Sequence, residues 1–155
     1  MQRRTIGLAA ALIGAALLII ATFLPMLEPV NAFQQIQANT LIQHDGWQLV
    51  IAGVALGGGA YWIFSKGDDA TRGDWGSFFG GTVLVGALLI NFIARDSSHT
   101  LYATDAQGHV ITSGPGLVVP WGVGPYAAGV GVALVFVGAV LLLPPSKEDR
   151  LEAAG

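Results

Sequence analysis

Four long apolar runs without a single Asp, Glu, Lys, Arg or His dominate this chain: Thr5–Leu27, Trp47–Phe64, Gly76–Ala94 and Trp121–Leu143. Each approaches the ~20 residues that a helix needs to cross a hydrocarbon core of about 30 Å. Lipid offers no partner for a backbone amide, so such segments must satisfy their own hydrogen bonds, and helices do so. Charged residues make up 11% of the chain, against roughly 25% in an ordinary soluble domain. The sequence therefore predicts an all-α membrane protein, a four-transmembrane-helix antiparallel bundle forming a single integral membrane domain over residues 1–155. Trp47, Tyr61, Trp62, Trp75 and Trp121 fall near span ends, where aromatic side chains suit the bilayer interface.

The cations set an expected orientation. Arg3, Arg4, Lys66, Arg72, Lys147 and Arg150 fall in segments that share one side, and only Arg95 falls on the other. Under the positive-inside bias this places both termini in the cytoplasm of a bacterial or archaeal plasma membrane. Residues 28–46 and 95–120 become outer loops, residues 65–75 an inner loop, and residues 144–155 a cytoplasmic tail. Arg3-Arg4, the first apolar run and Val30-Asn31-Ala32 also resemble a secretory signal with a cleavage site. The run exceeds the usual h-region of about 7–15 residues, so it reads as a retained span.

The outer loops carry the only expected structure beyond the spans. Val30, Phe33, Ile36 and Leu41 approximate helical spacing in an uncharged segment, as in an amphipathic helix lying at the interface. Pro25 and Pro29 would break it from the first span. In the second outer loop, Thr100–Thr104 and Val110–Thr112 flank Asp105-Ala106-Gln107-Gly108, which predicts a β-hairpin. The inner loop is a short charged connector in which Asp74 or Ser77 is expected to cap the third helix.

Small residues recur every seven positions: Gly7, Gly14 and Ala21; Gly46, Gly53 and Ala60; Gly124, Gly131 and Gly138. Closer pairs are Gly53 with Gly57 and Gly76 with Gly80. Seven residues is close to two helical turns, so each series forms one stripe suited to close helix packing in lipid. Whether a stripe faces the bundle or a partner is not encoded in the spacing.

Reaction chemistry is not visible. The chain has no cysteine, hence no thiolate site. His44, His99 and His109 lie in the outer loops near Asp45, Asp96 and Asp105, but in no familiar ligand spacing. They are weak metal candidates, and no metal, cofactor or catalytic residue is expected. Asn91 is the most polar residue within a span, suited to a contact with another helix or with headgroup water. No nucleophile elbow, zinc-protease motif or phosphate loop occurs. Spans without ionisable groups argue against a proton or ion path through the lone chain. A net charge of −3 gives no basic face for nucleic acid. The expected role is that of a non-catalytic accessory or assembly subunit, not an enzyme. It would sit in the lipid bilayer against other integral membrane subunits, for example those of a respiratory-chain complex. The alternatives are a small transporter or channel component, with a polar cavity at Asn91, Thr82 and Thr22, and an outward-facing sensor or ligand-binding protein.

Overall fold

A computed structural model describes residues 2–25, 46–95, 100–101, 117–118 and 121–144. The helices are α1 (Gln2–Ala21), α2 (Trp47–Lys66), α3 (Arg72–Arg95) and α4 (Val123–Leu142), with a short 3-10 helix (Gly67–Asp69) between α2 and α3. All four α-helices are long and apolar enough to cross a membrane. Their order in the bundle is cyclic: α1 lies against α2 and α4, and α3 closes the ring between α2 and α4.

Local chemistry explains where the helices stop. Helix α1 ends at Ala21, short of Leu27, because Pro25 cannot donate to the Ala21 carbonyl and its ring would clash there. The chain leaves through tight turns instead, with the amides of Thr22, Phe23 and Leu24 donating three residues back to Ile19, Ile20 and Ala21. The N–H of Gly67 donates to the last carbonyls of α2, at Ile63 and Phe64, and its φ of 61° lies where only glycine is unstrained. Pro125 sits in the first turn of α4, where the missing N–H costs nothing.

Strand β1 (Thr100–Leu101) pairs antiparallel with β2 (Leu117–Val118), Thr100 opposite Val118 and Leu101 opposite Leu117. The first strand thus begins where the hairpin was expected. Its described partner, however, is an apolar pair in the lead-in to α4 rather than Val110–Thr112. That expected strand and its turn at residues 105–108 lie outside the described residues, as do the interfacial helix around residues 30–41 and the tail beyond residue 144.

The core is built from small residues. Ala11, Ala15, Ala21, Ala60, Ala128 and Ala139 are buried among Leu18, Ile63, Val135 and Leu142. Large apolar side chains such as Ile6, Ile13, Ile20, Ile51, Val130 and Phe136 point outward. This inverts the pattern of a soluble protein. Where lipid is the solvent, burying a large apolar side chain gains little, and close backbone approach is what draws helices together.

The α1–α4 seam carries that approach. A Cβ added at Gly14 would lie 2.5 Å from the Gly131 carbonyl oxygen, and one at Gly7 would lie 2.9 Å from that of Gly138. One at Gly138 would lie 2.6 Å from the Ala11 nitrogen. The series continues to Gly124, buried at the start of α4, whose N–H donates to the Pro25 carbonyl at 3.0 Å. Against α2 the adjacent face of α1, at Leu12, Ala15 and Ile19, meets Gly53, where a Cβ would lie 2.8 Å from the Ala15 carbonyl oxygen, and Gly57, 3.2 Å from the Ala15 Cβ. Two matched seven-residue repeats on antiparallel helices keep one seam in register at three levels, two steps apart from end to end.

Candidate functional site

Polar side chains gather at the end of the bundle that carries the α2–α3 connection. Helix α3 begins at Arg72, four residues before the apolar run, because Thr71 caps it. The Thr71 hydroxyl accepts from the Asp74 N–H at 3.2 Å, while the Asp74 carboxylate accepts from the Thr71 N–H at 2.8 Å and its hydroxyl at 2.9 Å. This is a reciprocal capping box with Asp in the third helical position. The expected cap at Asp74 or Ser77 is thereby corrected: Thr71 is the N-cap and Asp74 its partner.

Asp74 also joins α3 to α2. Lys66 Nζ lies 3.1 and 3.0 Å from its two carboxylate oxygens and 5.0 Å from the centroid of the Trp62 ring. The twin arginines extend the cluster across the bundle end. Arg4 Nη1 lies 3.5 Å from Asp68 Oδ1, tying α1 to the connection. Arg3 Nη2 donates to the Val140 carbonyl at 3.5 Å, in the last turn of α4, where that oxygen also accepts from the Leu143 N–H at 3.3 Å. Exposed pairs of this length contribute about 0–1 kcal/mol each. Their arrangement matters more, since one charged end touches α1, α4 and the α2–α3 connection.

Two open grooves flank α3. The larger, about 680 Å³, runs between α2 and α3 and is lined by Ala55, Gly58, Gly59, Trp62, Phe78 and Gly81, with Thr71 and Asp74 at one end. The second, about 490 Å³, lies between α3 and α4 among Thr82, Gly86, Ile90, Val132, Phe136 and Val137. Neither groove figured among the sequence expectations. The runs Gly57-Gly58-Gly59 and Gly80-Gly81, of which Gly58, Gly59 and Gly81 line the larger groove, were the available signal, because consecutive glycines leave a helix bare on more than one face.

The glycines that the sequence singled out divide. Gly7, Gly14, Gly53, Gly57, Gly131 and Gly138 face neighbouring helices at close range. Gly124 is buried in the first turn of α4. Gly76 and Gly80 are exposed, and a Cβ at either meets no atom within 4 Å. Around them α3 presents Gly73, Ser77, Gly80, Leu84, Ala87 and Asn91, all exposed and within about 40° of one line at 100° per residue. Phe78, Thr82 and Leu89 are buried on the opposite side.

Asn91 therefore lies outside the bundle rather than in a cavity with the threonines. Thr22 and Thr82 are fully buried, and each hydroxyl donates within its own helix or helix end, Thr22 to Ile19 and Thr82 to Phe78 at 2.9 Å. The structure does not bring the three together. His44, His99 and His109 lie outside the described residues, among which no group of His, Asp or Glu has the proximity to hold a metal. Comparison with protein families, curated proteins and solved structures finds no match for this chain.

Proposed function

We propose that this chain is a non-catalytic accessory or assembly subunit of a larger membrane complex, lying in a plasma membrane with both termini cytoplasmic and docking through the outward face of α3. The observation that carries this reading is the composition of that face. The other helices show lipid large side chains, such as Ile6, Ile13 and Ile20 on α1 or Val123, Tyr126 and Val130 on α4. The centre of the exposed α3 face instead holds Gly73, Ser77, Gly80, Ala87 and Asn91, with Leu84 the one large side chain among them and Val83, Leu88 and Ile90 along the edges. Small residues admit a second helix at close range, and an amide or hydroxyl in a span gains most by bonding to one.

The buried polar groups favour a structural role over transport. The Thr22 and Thr82 hydroxyls donate to backbone carbonyls of their own segments, so neither proton is held ready for a solute. The test is site-specific photo-crosslinking of the full chain in its native membrane. A crosslinker at Ala87 is expected to yield an adduct with another membrane protein, and one at Val130 on α4 an adduct with lipid. Lipid adducts alone at Ala87, or solute transport by the purified chain in vesicles, would reject the reading.

A further inference from the structure

The helices are held by two kinds of contact. Helices α1, α2 and α4 touch through backbone: a Cβ at Gly14 or Gly53 would lie 2.5 or 2.8 Å from a carbonyl oxygen of the neighbouring helix. Surfaces that close cannot roll past one another. The glycines of α3 make no such contact. Those at positions 81 and 86 meet only side-chain atoms, Leu56 Cδ2 at 3.8 Å and Val132 Cγ1 at 3.4 Å from an added Cβ. Side chains hold α3: Phe78 against Gly59, and Phe79 edge-on to Phe136 with ring centroids 6.0 Å apart. Open volumes of about 680 and 490 Å³ lie on its two sides.

We propose that α3 is a movable helix docked on a fixed core of α1, α2 and α4. It swings about the Gly67–Thr71 connection, so that the α3–α4 groove beside Thr82 and Ile90 changes width most, and the α2–α3 groove, which reaches the pivot at Thr71 and Asp74, changes chiefly at its Gly81 end. The Lys66–Asp74 pair clasps the first turn of α3 to the end of α2 and makes that end the pivot. The far end, around Ile90, then travels furthest. Hinge and sliding motions of this kind need room that a close-packed interior denies, and grooves filled by exchangeable lipid chains supply it. This mobility belongs to the chain by itself, whatever α3 docks.

The chain has no cysteine, so spin labels can be placed on engineered pairs without background. Tyr61→Cys with Ile90→Cys reports α2 against α3, and Ile6→Cys with Tyr126→Cys reports α1 against α4; all four positions are exposed. Pulsed distance measurements on the full chain in vesicles are expected to give a distribution roughly twice as wide for the α2–α3 pair as for the α1–α4 pair. Lys66→Gln should broaden it further. Gly58→Leu should narrow it, because a side chain there meets nothing and extends into the larger groove. Equal widths for the two pairs, or an α2–α3 width that ignores both substitutions, would overturn the proposal.

Discussion

A single methyl group separates the glycines of this chain into two populations. At Gly14 it would meet the Gly131 carbonyl and the Val135 nitrogen at 2.5 and 2.7 Å, both backbone atoms that cannot turn aside. Gly14→Ala should force α1 from α4 and cost about 1–3 kcal/mol, the usual range for overpacking. At Gly76 the same methyl meets nothing within 4 Å. Gly76→Ala should leave the bundle intact or stabilise it by about 0.5–1 kcal/mol, since alanine loses less backbone freedom in a helix. Thermal unfolding of the two variants in one detergent checks this, and equal shifts would contradict the packing described. Both glycines belong to sequence patterns of small residues, yet only one is internal. Spacing defines a face but not the direction in which it points. The better signal was a matched partner: Gly7 and Gly14 have Gly131 and Gly138 at the same interval on another span, whereas the four-residue step from Gly76 to Gly80 is answered within the chain only by Gly53 and Gly57, which are occupied by α1.

At the scale of elements, hydropathy located every span but placed some ends badly, because helix ends are decided by hydrogen bonding. The apolar run begins at Gly76, yet α3 starts at Arg72, where the Thr71-Arg72-Gly73-Asp74 capping box supplies the orphaned amides. The signature stands in the sequence, but in polar residues that an apolar window passes over. At the end of α1 the opposite happened, and Pro25 stopped the helix while the apolar run continued. Thr71→Ala should lower stability by about 1 kcal/mol, as the loss of an N-cap usually does, and Thr71→Ser should restore most of it. Asp74→Asn should be more disruptive than Thr71→Ala, because it weakens the cap and the Lys66 link together. Unfolding midpoints of the three variants provide the check. A Thr71→Ser variant no better than Thr71→Ala would remove the hydroxyl from the account.

For the whole molecule, the charge distribution and the fold agree on a common end. Arg3, Arg4, Lys66 and Asp68 converge where α1 starts, α2 finishes and α4 finishes, as an antiparallel bundle with an even number of spans requires. The two arginines tie α1 to the α4 terminus and the α2–α3 connection, and they are also among the cations on which the proposed orientation rests. Six cations against one in the sequence are the basis for the proposal that this end faces the cytoplasm. The absence of cysteine again permits a direct measurement. Ser98→Cys, beyond the far end of α3, should react with an impermeant thiol reagent in intact cells, while Asp69→Cys in the connection should react only after permeabilisation. The converse labelling would invert the orientation. In Arg3→Gln/Arg4→Gln the two roles come apart: Lys66 and Arg72 still flank spans and should preserve the orientation. Stability should nonetheless fall by about 1 kcal/mol or less, the value of exposed polar ties. An inverted double variant would show that the first span alone sets the direction in which this bundle inserts.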